Sequence, residues 1–191
     1  FSNVLVCPTA EAVAEEVAER LISAAVRSVA SRGQFHVAIP GGSSPRGAYQ
    51  YLSRSQTARE VPWGSVQVYF TDERCVPPTH EDSNYRLAKD LLLSKASVPA
   101  DNVHRFPAEL PPSEAAVEYE RSIKRAMGDT PRFDLVILGM GEDGHTASLF
   151  PDSPALSETG RLAVACFVPR LNAYRLTLTV PVLANAREVL I

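Results

Sequence analysis

Cysteine is scarce in this sequence and poorly placed for chelation. Cys7, Cys75 and Cys166 are odd in number and far apart, and no Cys-x-x-Cys pair occurs. Zinc-site spacing is therefore missing, and no disulfide framework can be read. Such usage fits a reducing compartment, and a cytoplasmic location is expected. No metal or other cofactor is expected. Long apolar runs are missing too: none approaches the ~20 residues that a bilayer span requires. The N-terminus lacks a basic segment followed by an apolar core, so no signal peptide is visible and no membrane partner is expected. Nor is there an excess of basic charge. Nineteen Lys and Arg stand against 22 Asp and Glu, a net charge of −3. Without a general basic field, nucleic acid is not an expected partner. An anionic small molecule would need local positive groups instead. Internal repeats and low-complexity tracts are also absent.

What remains is a chain of 191 residues with 45% hydrophobic and 21% charged content. That is enough for one domain with a sizeable core. The expectation is a single α/β domain over residues 1–191, trimmed at both ends, because the chain opens on one strand-like run and stops inside another. Leu135 to Leu138 is an almost wholly apolar run with β-branched members. It reads as a strand covered on both faces, as in a parallel sheet. Gly139, Gly141 and Gly144 follow it, interleaved with Glu142, Asp143, His145 and Thr146. Ionisable groups just past the carboxyl end of a buried strand lie where open α/β sheets bind ligands.

Other segments repeat that arrangement. Phe35 to Ile39 reads as a strand. The turn Pro40-Gly-Gly-Ser-Ser-Pro45 follows it, and then a helix through Ala48, Tyr49 and Leu52, with Pro45 at its first position. Free backbone N–H groups at Gly41 and Gly42, the hydroxyls of Ser43 and Ser44 and a positive helix end make an anion cradle, with Arg46 able to add charge. It is not a Walker loop, since GxxxxGK[ST] is missing. Val66 to Phe70 reads as a third strand, with Thr71, Asp72, Glu73 and Arg74 at its carboxyl end. These four could orient a polar substrate or form a structural ion cluster. Asn84 and Arg86 could reach a ligand or cap a helix. Cys75 reads as a passive thiol, and His36, His80 and His104 as structural or surface histidines.

The remaining segments read as scaffold. Asn3 to Val6 is expected to form a strand. A helix capped by Thr9 should bury Val13, Val17, Leu21 and Ala25 and end at Gly33. Val103 to Phe106 should be a strand, and a helix capped by Ser113 should run to Met127 with Ala116, Tyr119, Ile123 and Met127 inward. Leu162–Val168 and Tyr174–Val180 read as strands around a turn bracketed by Arg170 and Arg175. Alternation puts Arg175, Thr177 and Thr179 on one face, toward either a site or water. Pro181 to Ala186 suggests a helical turn, and Val189 to Ile191 begins a last strand. Alternating strands and helices give an α/β class with a largely parallel, Rossmann-like sheet and helices on both faces.

Parallel strands would bring the clusters 42–46, 72–74 and 141–145 to one sheet edge. A phosphorylated molecule held by the first would lie across the other two. His145 is then the natural proton-transfer group, because an unperturbed imidazole titrates near neutrality. It could deprotonate a water attacking an ester-like carbonyl, with Arg74 stabilising the oxyanion and Asp143 or Glu142 orienting the ring. The residues alone support equally a base that shuttles a proton beside a sugar carbonyl.

Four segments together resemble the 6-phosphogluconolactonase family: Pro40–Pro45, Thr71-Asp-Glu-Arg-Cys-Val-Pro77, Ser83-Asn-Tyr-Arg86 and Gly139–Pro151. Arg175-Leu-Thr-Leu-Thr179 with Pro181-Val-Leu183 adds a fifth. The similarity covers essentially the whole chain, in the family's order. It implies hydrolysis of 6-phospho-D-glucono-1,5-lactone in the oxidative pentose phosphate pathway, without an obligatory metal. It also implies the fold shared with glucosamine-6-phosphate deaminase and ribose-5-phosphate isomerase. By that resemblance His145 matches the catalytic base, Gly42, Ser43 and Ser44 the phosphate loop, and Arg74 a substrate-contacting arginine. Asp143 and Glu142 join the expected catalytic set. Gly41, Arg46, Asp72, Asn84, Gly141, Arg170 and Arg175 join the expected binding set. The sole expected partner is a sugar phosphate lactone, acted on by a monomer or weak homo-oligomer. Two departures stand out. Arg170 occupies a turn where the family usually carries lysine and proline, and a Gly-x-x-Lys-Ala-like segment that follows in the family is absent.

Two rivals share the fold. An amino-sugar phosphate deaminase would continue Ile-Ala-Phe-Asn-Glu-Pro where this chain has Thr146-Ala-Ser-Leu-Phe-Pro151. A non-catalytic sugar-phosphate sensor would normally accompany a DNA-binding module, which this sequence does not carry.

Overall fold

The structure, a computed structural model, describes residues 4–191. It contains, in chain order, α1 (Ala10–Arg32), β1 (Phe35–Ile39), α2 (Arg46–Arg54), β2 (Val66–Phe70), β3 (Asp72–Arg74), α3 (Asn84–Ala88), β4 (Val103–His104), α4 (Pro112–Met127), β5 (Leu135–Ile137), β6 (Ala163–Val168), β7 (Ala173–Leu178), α5 (Val180–Ala184) and β8 (Val189–Leu190). Five strands pair in parallel in the order β4-β2-β1-β5-β8. The other three, β3-β7-β6, form an antiparallel sheet. The chain therefore runs from β1 outward on one side and later returns to β5 on the other. The crevice between the ends of β1 and β5 is a topological switch point, the usual ligand position in such sheets.

The apolar runs explain the central strands. Phe35, Val37 and Ile39 are buried, and so is Ala38 on the opposite face. Burial at both odd and even positions means that both faces of β1 are covered, as the all-apolar pattern of a parallel strand requires. Leu135, Val136 and Ile137 repeat this in β5. The helices carry the caps and stripes expected of them, with some corrections. Thr9 accepts a hydrogen bond from the Ala12 amide, and Gly33 closes α1 in the left-handed region with φ +80°. The buried stripe is shifted, however. Ala18, Leu21, Ile22 and Ala25 face the core, while Val13 is 48% exposed. In α4, Pro111 takes the cap position and Ser113 lies inside the helix. A proline pair at the helix start needs no hydroxyl cap, because it removes donors that would otherwise go unpaired. Val4 to Val6 form no strand and are exposed, and Asn3 lies outside the described residues.

Tyr119 fixes the passage from one sheet to the other. Its hydroxyl accepts from the Phe70 amide at 2.8 Å and donates to the Phe70 carbonyl at 2.9 Å. Both backbone groups are thereby satisfied from α4 rather than from a neighbouring strand. One residue later the Leu178 amide donates to the Thr71 carbonyl, and β3 pairs with β7. Of the segment 71–74, expected as a strand-end cluster, Asp72–Arg74 is thus itself a strand of the second sheet.

His36 and His104 bracket Tyr69 on the parallel sheet. The Tyr69 and His104 rings stack at 4.4 Å, and His104 Nε2 meets Gln67 Oε1 at 2.8 Å. Burial lowers the pKa of both imidazoles from 6.5, against the pull of Asp134 for His36 and with the help of His36 for His104. The unfolded chain therefore binds protons near pH 6.5 that the folded chain resists. Stability should be full above the ordinary imidazole pKa of 6.5 and decline as pH falls below it, through the lowered folded-state values. Denaturant titrations at several pH values should show that decline, and replacing both histidines with glutamine should flatten it.

Candidate active site

Three strand ends converge on one cavity of about 330 Å³. From the end of β1 come Gly41, Gly42, Ser43 and Ser44; from β3 come Asp72 and Arg74; from beyond β5 come Gly139, Gly141 and His145; and from the β6–β7 hairpin come Arg170 and Arg175. Asn84, at the start of α3, completes the wall. Of the residues singled out from sequence, Arg46 and Glu142 are exposed and do not line this cavity, and Asp143 borders it through its contacts. Among the lining residues that had no role assigned from sequence are Ser148 and Phe150, both from the Thr-Ala-Ser-Leu-Phe-Pro segment.

The Gly-Gly-Ser-Ser turn is held from behind. Tyr49, fully buried in α2, donates its hydroxyl to the Pro40 carbonyl at 2.5 Å. Gly41 permits close packing: a Cβ there would lie 1.8 Å from Asn84 Oδ1. The turn also meets the loop after β5, since a Cβ on Gly139 would sit 3.7 Å from Ser44 Oγ.

That loop is built around His145. A Cβ on Gly141 would fall 2.2 Å from the imidazole Nδ1, so only glycine lets the ring settle over this backbone. The Gly141 amide donates to the His145 carbonyl at 2.8 Å, closing the loop. His145 Nδ1 lies 2.5 Å from Asp143 Oδ1, and the ring packs on Phe150 with centroids 4.2 Å apart. The hydrogen bond from His145 is the main cause holding the Asp143 carboxyl below its usual range, and the charge of Arg170 adds to it. An ionised Asp143 accepts only, so Nδ1 carries the proton and Nε2 is left with its lone pair.

Arg74 and Arg175 stand directly opposite each other on β3 and β7. Like charges at such a position repel. Neither makes a salt bridge among the described residues: Arg74 donates to the Asp82 carbonyl and Arg175 to its neighbour's carbonyl. Burial, then the Arg74 charge, lowers the pKa of Arg175. Asp72 is buried beside them and accepts from Ser148 Oγ at 2.8 Å and Asn84 Nδ2 at 3.1 Å. Burial raises its pKa, opposed by the Ser148 hydrogen bond and the two arginines. Thr177 and Thr179, which alternation left between a site and water, are wholly buried; Thr177 Oγ1 accepts from the Ser148 amide at 3.3 Å.

Glu73 turns the other way. It is 2% exposed and accepts from Ser83 Oγ at 3.1 Å and from the amides of Arg74, Asn84 and Tyr85 at 2.8, 2.7 and 2.9 Å. It anchors the start of α3, where Ser83, not Asn84, is the cap. Asn84 instead points its amide at Asp72, and its Oδ1 is buried without a partner. Cys75 is a passive thiol, pushed up to about 11 by burial. Among the described residues no cluster of three or more His, Cys, Asp or Glu side chains could hold a metal, and no helix is long and apolar enough to cross a membrane.

Fold and cavity together define an α/β protein with a switch-point cleft in which a histidine–carboxylate pair faces two arginines free of carboxylate partners. Comparison with known proteins narrows this class. The family model for glucosamine-6-phosphate isomerases/6-phosphogluconolactonase matches residues 8–191, and the chain belongs to that family. A 6-phosphogluconolactonase of Synechocystis is 38% identical over 168 residues, which is 85% of this chain and 68% of that protein. A human protein named GDH/6PGL endoplasmic bifunctional protein is 36% identical over 191 residues, 97% of this chain and 24% of its own length. The structure of a 6-phosphogluconolactonase from Thermotoga maritima superposes with a TM-score of 0.81 at 31% identity, covering 92% of this chain and 77% of that one.

Replacing Glu73 with alanine would strip three backbone amides and a hydroxyl of their acceptor. Unpaired buried donors cost about 1–3 kcal/mol each before relaxation. We expect a loss of roughly 3 kcal/mol or more in chemical denaturation. A change below about 0.5 kcal/mol, typical of surface substitutions, would contradict the anchoring role.

Proposed function

We propose that this chain hydrolyses 6-phospho-D-glucono-1,5-lactone to 6-phospho-D-gluconate, within the oxidative pentose phosphate pathway. One observation carries the reading. Two half-buried arginines without carboxylate partners share a cavity with a histidine whose Nδ1 is held by an aspartate, leaving Nε2 for chemistry. An anionic ligand would relieve the repulsion between the arginines, and a base beside it suits an electrophilic carbonyl. The names of the relatives point to the same reaction.

In this reading the phosphate rests on the amides and hydroxyls of Gly42, Ser43 and Ser44, with Arg175 as counter-ion. The sugar ring then extends toward His145. Nε2 takes a proton from water as its oxygen attacks the lactone carbonyl carbon. Charge develops on the carbonyl oxygen, and Arg74 stabilises it. The tetrahedral intermediate collapses by breaking the bond to the ring oxygen, and the imidazolium returns its proton to that oxygen. The product is an open-chain carboxylic acid, which releases its proton to solvent to become the carboxylate, and His145 is again neutral. Asp143 keeps the imidazole in the required tautomer throughout. Asp72 and Asn84, buried on the cavity wall, suit recognition of ring hydroxyls. The reading carries with it a monomer or weak homo-oligomer in the cytoplasm, a setting that suits its three free thiols.

A coupled assay on freshly generated lactone, corrected for spontaneous opening, tests this. Removing the base with His145→Gln should lower kcat by about 10²- to 10⁴-fold, the usual worth of a positioned general base. Arg175→Ala should act mainly on KM. Undiminished hydrolysis by H145Q would remove His145 as the base.

A further inference from the structure

Arg170 is delivered to the site by a short helical turn, Pro169–Leu171, at the tip of the β6–β7 hairpin. Asn172 ends this turn in the left-handed region with φ +44°, which reverses the chain into β7. The guanidinium does not project freely into the cavity. Its Nη2 lies 2.7 Å from Asp143 Oδ2, the carboxylate oxygen that His145 leaves unused. The same guanidinium lies over the Phe150 ring at 4.8 Å, and the His145 imidazole packs on that ring as well. Arg170, Asp143, His145 and Phe150 thus make a closed circuit of contacts in which each side chain touches two others.

We infer that Arg170 is a positioning residue for the general base: it fixes the Asp143 carboxylate so that one oxygen is held on His145 Nδ1. The inference rests on the proposed role of His145. It departs from the sequence-based expectation that Arg170 belongs to the substrate- and phosphate-binding set. Asp143 sits on an exposed glycine-rich loop, where a carboxylate hydrogen-bonded by its neighbour alone has rotational freedom. A second, charge-assisted bond to the opposite oxygen removes that freedom. Phe150 packs against both partners, since an arginine can lie over an aromatic face as well as pair with a carboxylate. The pairing also ties the antiparallel hairpin to the loop after β5, across which no strand pairing runs. Arg74 and Arg175 remain without carboxylate partners, so the site keeps its cations for the substrate.

The test separates positioning from phosphate binding by using Arg170→Met and Arg170→Lys. Arg170 is half exposed on a turn, so both variants should fold. The first readout needs no substrate. Nitrogen NMR of the histidine rings at about pH 8, where an ordinary imidazole is neutral, reports which ring nitrogen of His145 carries the proton. The unaltered protein should show a single Nδ1–H tautomer with a strongly downfield proton. R170M should show a mixture of tautomers, and R170K should restore most of the original signal. In the lactone assay R170M should lower kcat about 10-fold or more, as misplaced catalytic groups do, with KM changed less than about twofold and partial recovery in R170K. An unaltered His145 spectrum in R170M, or a large rise in KM at constant kcat, would overturn the inference and make Arg170 a substrate ligand. If the spectra change as expected while no form of the protein opens the lactone, the positioning role stands and the proposed reaction falls.

Discussion

Two arginines held side by side, with no carboxylate among the described residues in salt-bridge contact, are the constraint on which this structure depends. Arg74 and Arg175 occupy matching positions on neighbouring antiparallel strands, and burial makes their repulsion more expensive than it would be in water. Asp72 offsets part of that charge from below, but its own oxygens are taken up by Ser148 and Asn84. A protein that keeps such a pair gains something from it, and an anion arriving from solvent is the simplest gain. The surrounding architecture follows that demand. The Tyr119 hydroxyl ends β2 so that the chain can cross to the second sheet, and the crossing is what sets Arg74 opposite Arg175.

The parallel sheet supplies the other half. Register between β1 and β5 places the Gly-Gly-Ser-Ser turn against the loop that carries His145. Neither loop has much apolar content of its own. Each is anchored by something behind it: Tyr49 on Pro40 for the first, and the Gly141–His145 backbone bond and Phe150 for the second. Rigid strands therefore carry short, locally braced loops, the arrangement that lets a site hold its geometry.

Much of this was legible in the sequence, for physical reasons. Runs such as Phe35–Ile39, Val66–Phe70 and Leu135–Leu138 admit little besides a buried strand, and their bounds were found within a residue. The glycine-bearing turns after two of them marked the cavity, and most residues expected there line it. What escaped detection depends on contacts distant in sequence. Asp72-Glu73-Arg74 has no strand-like composition and becomes β3 only because β7 pairs with it. Glu73 and Asp72 look alike in sequence, yet one anchors α3 and the other faces the cavity. Strand alternation separates them, but only once the strand is recognised. Val4–Val6 has the composition of a strand without a partner for its backbone, so propensity alone misleads there. Between Asp143 and Glu142 the sequence offered no choice; the 2.5 Å contact selects Asp143.

The central claim is that one anionic sugar bridges the Gly-Gly-Ser-Ser turn and the His145 loop across the paired arginines. A crystal structure with 6-phosphogluconate bound tests it most directly. The account predicts the phosphate on the amides of Gly42 to Ser44 beside Arg175, and the C1 carboxylate between Arg74 and His145 Nε2. A phosphate bound outside this cavity, or a carboxylate turned away from His145 with the imidazole unmoved, would contradict it.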